Sequence, residues 1–397
     1  MILKDQLERI VQSQIEWLSR PERLVNRELL DKFYKTRSYV NIITGIRRCG
    51  KSTFLQQLME LFERPVYFNF EDHRAYNFEV NDFDKLDQIL EKKNPDAWFF
   101  DEIQNVAGWE RYIRSAHDKG KRIFLTGSNA SLLSKELGTK LTGRHLTWVL
   151  YPFSYREFLT YRDIDPSVAS FKDYMAIGGF PEFIRNEEID ILQQLLEDII
   201  TRDVIVRYEI RQEEILKALT LFLISNTGKE FSYNKLSKRF HTGSVNTVIN
   251  YIGYLANSYL LSPVPLFSAS VRKQLANPKK IYAVDTGLIK ANTLSFSDDL
   301  GRILENVVYI ELCRNKKEVW YHRSDYECDF VVKDANGHLQ IIQVCHELKE
   351  DNLEREINGI NELEGYKPNR KTIITLNQKD YFDGTEVVPV WEWLTER

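Results

Sequence analysis

A chain of 397 residues with a net charge of −4 is longer than one ordinary hydrophobic core, so two or three domains are expected. The charge balance speaks against a strongly cationic nucleic-acid binder and leaves room only for a local basic patch. Hydrophobic residues make up 43%, ample for packed interiors, yet no run reaches the ~18 uninterrupted apolar residues of a membrane span.

The four cysteines, Cys49, Cys313, Cys328 and Cys345, have neither metal-ligand spacing nor the pattern of a disulfide framework. The N-terminus has an amphipathic helical pattern, without the basic-then-apolar order of a signal peptide. A reduced cytoplasmic setting, away from membranes, is expected.

In chain order, Ile2 to Leu18 and the stretch around Arg23 to Tyr34 read as helices. From Ser38 the pattern changes to short β-branched and aromatic runs alternating with helical stretches. The expected strands are Tyr39–Thr44, Val66–Phe70, Trp98–Phe100, Ile123–Thr126 and His145–Leu150, an alternation that predicts a parallel sheet flanked by helices. After Tyr151-Pro152-Phe153 the chain reads as helical to about Tyr208. Residues 213–265 form a small helix-turn-helix pattern, and from about Gly301 a helix precedes new strands.

The segment Gly-Ile-Arg-Arg-Cys-Gly-Lys-Ser, residues 45–52, follows an expected strand and opens an expected helix, Thr53 to Phe62. Glycines at such a turn let consecutive backbone N–H groups curl around phosphate oxygens, and the helix adds its positive end. Gly45, Arg48, Gly50, Lys51, Ser52 and Thr53 are therefore candidate ATP-binding residues. Lys51 would reach the β- and γ-phosphates, and Ser52 would ligate Mg²⁺. The apolar run Ala97-Trp98-Phe99-Phe100 ends in Asp101-Glu102. Asp101 would hold the Mg²⁺ shell, and Glu102 would orient or deprotonate the attacking water. A third strand ends at Thr126-Gly127-Ser128-Asn129, where Ser128 or Asn129 would sense the γ-phosphate, unless this is ordinary turn chemistry.

These residues, with Asn69-Phe70-Glu71, Thr142-Gly143-Arg144, Gly178-Gly179-Phe180-Pro181-Glu182, Arg202-Asp203-Val204, Val284-Asp285-Thr286-Gly287-Leu288 and Gly301-Arg302-Ile303-Leu304-Glu305-Asn306, resemble a bacterial and archaeal family of AAA+-type ATPases that carry a C-terminal domain of unknown function. The resemblance covers nearly the whole chain. It implies an α/β fold class: a P-loop parallel-sheet ATPase domain over 1–210, with N-terminal helices, a core at about 36–152 and a helical lid at about 153–210. A winged-helix-like domain over 211–268 and a restriction-endonuclease-like α/β domain over 269–397, similar to PD-(D/E)XK nucleases, would follow. In related ATPases the region of Arg144 often exposes a basic residue toward a neighbouring subunit, which makes Arg144 a candidate catalytic arginine in a homo-oligomer; a surface or ion-paired arginine is the alternative.

In the helix-turn-helix, Tyr233 to Phe240 would be the first helix and Ser244 to Leu255 the second. Val245, Val248, Ile249, Ile252 and Leu255 would face the core, and Ser244, Asn246, Thr247 and Asn250 the solvent. The second helix carries no Lys or Arg, so DNA contact would lean on Lys235, Lys238, Arg239, Arg272, Lys273, Lys279 and Lys280. Docking of a protein partner is the alternative.

In the C-terminal part, Ala335-Asn336-Gly337 suits a three-residue hairpin loop with Gly337 in a left-handed position. That register places Asp329 opposite Gln343 and Glu327 opposite Cys345, all on one face, with Glu305 approaching from a helix. The arrangement is that of a PD-(D/E)XK site in which Gln343 stands at the second acid and Cys345 at the lysine. Lys349 could replace that lysine only if the chain turns back. The expectation is a nuclease-shaped domain with a defective site; an active metal-dependent nuclease driven by ATP is the other reading.

Overall fold

The computed structural model describes residues 1–18, 25–35, 39–128, 143–276, 278–293 and 300–396. Asn129, expected to sense phosphate, lies outside them. Two compact units divide between Leu150 and Tyr151.

The first unit runs α1 (Lys4–Leu18), β1 (Val40–Thr44), α2 (Lys51–Met59), β2 (Pro65–Asn69), α3 (Phe83–Leu90), β3 (Ala97–Asp101), α4 (Trp109–Asp118), β4 (Ile123–Gly127) and β5 (His145–Val149). The strands form one parallel sheet of order β2-β3-β4-β1-β5. β1, β3 and β4 are buried along their whole length, which is why they read as unbroken apolar runs and not as alternating ones. One core cluster joins Leu7 and Ile10 of α1 to Phe68, Phe83, Phe100 and Trp109. The edge strand β2 is covered by α1: the Gln14 side-chain amide donates to the Asn69 carbonyl at 3.1 Å and accepts from the Asn69 N–H at 2.9 Å, satisfying backbone groups that an open edge would leave unpaired.

The helix expected around Arg23 to Tyr34 is absent from its described part. Residues 25–27 are irregular, and only Leu30–Lys35 closes into a 3₁₀ helix. Here tertiary bonding overrides helical propensity: Gln57 of α2 donates to the Val25 carbonyl at 2.6 Å, and Arg27 donates to the Cys49 carbonyl at 3.0 Å.

The second unit opens with α5 (Tyr155–Arg162), α6 (Val168–Ile177), α7 (Pro181–Asn186) and α8 (Ile189–Asp198), which continues as a π-helix over Ile199–Val206. α9 (Glu213–Ser225), β6 (Glu230–Phe231), α10 (Tyr233–Arg239), α11 (Val245–Asn257), β7 (Leu261–Pro265), β8 (Lys279–Ala283), α12 (Thr286–Asn292) and α13 (Leu300–Arg314) follow. β8 hydrogen-bonds between β6 and β7 in a small antiparallel sheet. On α11, Val248, Ile252 and Leu255 are buried as expected, but Ile249 is exposed and Tyr251 takes its place in the core.

The helices of 153–210, grouped with the ATPase domain on sequence grounds, pack by contact within this second unit, with α12 against α6 and α8. The junction is tight. Asp285 caps α12 by accepting from the Leu288 N–H at 3.0 Å, and its other oxygen accepts from the Gly179 N–H at 2.6 Å. A Cβ on Gly287 would lie 2.0 Å from the Ile177 carbonyl oxygen, and one on Gly179 2.3 Å from the Phe153 carbonyl oxygen. The glycine-rich motifs 178–182 and 284–288 thus permit backbone-to-backbone approach.

The remainder is a mixed sheet of β9 (Glu318–Arg323), β10 (Glu327–Lys333), β11 (Leu339–Cys345), β12 (Arg370–Thr375), β13 (Asp380–Phe382) and β14 (Thr385–Pro389), in the order β13-β14-β12-β11-β10-β9. α14 (Glu350–Asn361) connects β11 to β12. The β10–β11 hairpin has the register counted from its loop: Phe330 faces Ile342 and Lys333 faces Leu339. Asp334 and His338 close the loop, and Gly337 has φ 86°.

Candidate functional site

The first site lies at the carboxyl ends of the parallel strands, where open α/β sheets place ligand crevices. β1 leads into the turn 45–50 and α2. A Cβ on Gly45 would lie 2.1 Å from the Leu150 carbonyl oxygen. Arg48 at φ 60° and Gly50 at φ 94° bend the loop back. Gly50 caps α2 without any side-chain hydrogen bond, leaving the first amides of the helix to the loop's concavity.

Lys51 is buried. Its Nζ donates to the carbonyls of Gly45 and Ile46, each at 3.2 Å, and lies 3.9 Å from Glu102 Oε1. Ser52 and Thr53 follow on the same turn, both half-buried. The structure thus brings together Gly45, Gly50, Lys51, Asp101 and Glu102.

β3 delivers the acids. Asp101 is fully buried: Oδ2 accepts from the Tyr67 hydroxyl at 2.9 Å, and Oδ1 accepts from the Thr126 hydroxyl. The Thr126 oxygen also accepts from the Glu102 N–H at 2.9 Å, so one hydroxyl on β4 fixes both acids. Glu102 turns out of the strand at φ 51° and is held by the Gln104 side-chain amide. Burial pushes the Glu102 carboxyl up; the Lys51 ammonium pulls it down, and Asp101 and Glu71 add to the rise. Tyr67 escapes a reading by motif, and Gln104, though part of the motif Phe100-Asp101-Glu102-Ile103-Gln104, has no assigned role there. Their signals are a tyrosine inside an otherwise apolar strand and a polar residue two positions past the acid.

Arg144 sits elsewhere. It immediately precedes β5 and pairs with Asp118 at the end of α4. Since the five residues of β5 run parallel to β1, Arg144 is at the opposite end of the sheet from the phosphate loop, about 17 Å away along the strands. Ser128 is buried just beyond β4.

A second cluster lies in the other unit. Lys280 of β8 is almost fully buried, and its Nζ lies 2.8 Å from Glu305 Oε1, 2.9 Å from Asp329 Oδ1 and 2.7 Å from Glu327 Oε1. The Tyr282 hydroxyl donates to Glu305 Oε1 at 2.5 Å. Gln343 is engaged elsewhere: its amide nitrogen donates to Glu356 at 2.5 Å and its oxygen accepts from the Asp329 N–H at 3.1 Å. Cys345 is buried, and its thiol is engaged by the Glu347 carbonyl and Asn352. Lys349 pairs with Glu347 near solvent and is not part of the cluster. The cation expected on β11 is instead Lys280 of β8, and its burial among carboxylates removes it from the basic residues expected to contact DNA. Lys280 and Tyr282, two polar groups alternating in a buried run, were the available signal.

The residues 37–159 match the family described as an AAA domain, and residues 168–299 match a domain of unknown function, DUF8612. The fold and the phosphate loop therefore define an AAA-type P-loop ATPase domain. Over 95% of its length the chain is 34% identical to the uncharacterized protein MJ1544 of Methanocaldococcus jannaschii, covering 92% of that protein. It is 30% identical, over 91% of its length, to an uncharacterized protein of Haemophilus influenzae, covering 96% of it. The chain belongs to the family of these two proteins. Among solved structures it is similar to the Walker-type ATPase PABY2304 of Pyrococcus abyssi, with a TM-score of 0.45 and 14% identity over 70% of this chain and 98% of that one. Among the described residues, no helix is long and apolar enough to cross a membrane.

Proposed function

We propose that the chain binds ATP with Mg²⁺ at the 45–53 loop, hydrolyses it, and works as a nucleotide-dependent switch or scaffold. The observation that carries this reading is the buried Lys51 ammonium, 3.9 Å from Glu102 and turned toward the carbonyls of its own loop. A buried ammonium with an uncapped helix N-terminus beside it suits a polyphosphate. Gly45, Arg48, Gly50 and Thr53 would contribute backbone and side-chain contacts, and Lys51 would reach the β- and γ-phosphates. Ser52 and Asp101 would hold Mg²⁺, whose chemistry is to neutralise charge between the terminal phosphates. Both Asp101 oxygens already accept hydrogen bonds, which favours contact with the ion through water. Glu102 would position the attacking water and take its proton. Arg144 would serve a neighbouring subunit's site, since it lies far from its own loop, and this requires a homo-oligomer. Asn129 keeps its proposed phosphate-sensing role.

The order α9, β6, α10, α11, β7 and β8, with a short helix Val271–Ala276 between the last two strands, supports reading this region as a winged helix. The β10–β11 hairpin with Glu305 and Asp329 beside it supports a PD-(D/E)XK-like domain, taken as non-cleaving because Gln343 and Cys345 occupy the places of an acid and a lysine. A DNA-processing reading draws on the exposed Lys235, Lys238, Arg239, Asn246 and Asn250. ATP hydrolysis measured with and without single-stranded, double-stranded and structured DNA and RNA separates the two. Unchanged turnover supports the switch; stimulation, together with Mg²⁺-dependent cleavage lost in Asp329→Ala, supports the DNA-processing enzyme. No hydrolysis under any condition overturns both.

A further inference from the structure

The Lys280 ammonium has three N–H donors, and three separate carboxylates lie within hydrogen-bond distance of it: Glu305 at 2.8 Å, Glu327 at 2.7 Å and Asp329 at 2.9 Å. Glu305 comes from α13, Glu327 and Asp329 from alternate positions of β10, and Tyr282 adds a hydroxyl on Glu305. Asp329 is itself fixed, its second oxygen accepting from the Val344 N–H at 3.0 Å. This is a set of hard oxygen donors arranged around a single positive charge, the donor chemistry that otherwise selects Mg²⁺, Mn²⁺ or Ca²⁺.

We propose that Lys280 is the resident cation of this site. Its ammonium takes the position of a divalent metal among Glu305, Glu327 and Asp329, so the unmodified chain binds no metal there, and removing the ammonium opens a site for a hard divalent cation. The inference rests on the nuclease-like, non-cleaving reading of this domain and gives it a physical cause beyond the substitutions at Gln343 and Cys345.

Charge and burial favour the arrangement. Burial opposes a charged lysine, yet Asp329, Glu305 and Glu327 together hold Lys280 protonated well above its ordinary range. Burial and the neighbouring Asp329 push the Glu305 carboxyl up to about 7, against the pull of Lys280 and Tyr282. Stripped of the ammonium, the buried Glu305 and Asp329 would face each other and the half-exposed Glu327, whose other oxygen lies 3.9 Å from Arg323, and a divalent cation would relieve that repulsion. The carboxylate oxygens now stand at nitrogen distances of 2.7–2.9 Å; each would close by roughly 0.1–0.6 Å to reach the 2.3–2.6 Å typical of Ca²⁺. Among the described residues, no group of His, Cys, Asp or Glu is arranged to hold a metal as it stands.

The test uses the full chain without nucleotide, which keeps it independent of the ATPase reading. Mn²⁺ is titrated by electron paramagnetic resonance, and Tb³⁺ by tyrosine-sensitised luminescence, with Tyr282 as the near donor. The proteins are wild type, Asp329→Asn, Lys280→Met, whose side chain keeps the apolar stem, and Lys280→Met combined with Asp329→Asn. The expected result is one Mn²⁺ site in Lys280→Met at least about tenfold tighter than any in wild type, absent from the double variant. A folded Lys280→Met chain that binds no more tightly than wild type overturns the proposal. So does a wild-type site that disappears in Asp329→Asn, because the metal would then displace the lysine. If Lys280→Met fails to fold by circular dichroism, the wild-type and Asp329→Asn titrations decide: identical curves support the resident lysine, and different ones overturn it. A failure to hydrolyse ATP would leave every arm of this test intact.

Discussion

The Thr126 hydroxyl ties together the two acids of the phosphate site, donating to Asp101 Oδ1 while accepting from the Glu102 N–H at 2.9 Å. Thr126→Val keeps the shape and removes both bonds, leaving a buried carboxylate oxygen and an amide without this partner. The expected outcome is a loss of about 1–3 kcal/mol in stability and a fall in kcat larger than the rise in KM, because Glu102 loses its anchor. Tyr67→Phe, which frees only Asp101 Oδ2, should also cost about 1–3 kcal/mol in stability while leaving the Glu102 anchor in place. Urea unfolding and steady-state ATP hydrolysis check both; a Thr126→Val chain with wild-type kcat refutes the role.

Lys51→Ala removes the only ammonium that the described loop directs among the Gly45 and Ile46 carbonyls. ATP affinity should fall and turnover should be lost. Fluorescent-nucleotide binding checks the first and phosphate release the second. Wild-type nucleotide affinity in this variant would remove the loop from the account.

Gly179 and Gly287 serve close backbone packing within the second unit. Gly287→Ala sets a methyl 2.0 Å from the Ile177 carbonyl oxygen, and Gly179→Ala sets one 2.3 Å from that of Phe153. Each should destabilise the second unit by more than about 3 kcal/mol or prevent folding, measured by thermal unfolding. Gly301→Ala, where a Cβ meets nothing within 4 Å, should be neutral or stabilising.

Sequence carried the first unit further than the second for physical reasons. β1, β3 and β4, buried on both faces, leave unbroken apolar runs, and β-branched and aromatic residues mark β2 and β5 as well, so all five were visible to within a residue or so at each end. The acids at 101–102 follow directly from where β3 ends. On α11 the 3.6-residue period mistook Ile249 for core because Tyr251 also fits the buried face. Lys280 was legible only as a basic residue for DNA contact: it meets Glu305 and Asp329 because β8 joins the small sheet of β6 and β7, a pairing no local pattern announces. The π-helix at Ile199–Val206 likewise has no sequence periodicity of its own.

Asp285 gives a pH signature. Burial pushes its carboxyl up to about 6 despite the Gly179 and Leu288 amides, so the native state holds a proton that the unfolded state, at about 3.9, has lost. The contribution of this group is fully present below about pH 4 and declines as pH rises to about 6, by on the order of 2–3 kcal/mol. Denaturant unfolding of wild type and Asp285→Asn from pH 4 to pH 7 should show their stability difference moving against wild type over that window. A constant difference refutes it.

Arg144, paired with Asp118 at the far end of the sheet, should matter only in an assembly. Arg144→Ala should leave stability within about 0.5 kcal/mol and lower ATP turnover. Mixing it with Lys51→Ala should restore activity above that of either variant, since each then supplies what the other lacks. A monomer that hydrolyses normally with ATP bound rules the shared site out.

Most direct for the central claim is ATP turnover and retention in Glu102→Gln. The substitution keeps the backbone N–H that Thr126 holds and leaves Lys51, Ser52 and Asp101 in place, while removing the carboxylate that accepts a proton from water. The expected result is wild-type ATP affinity with hydrolysis lowered at least about a hundredfold, so that the purified variant retains unhydrolysed ATP. Hydrolysis at the wild-type rate would contradict it.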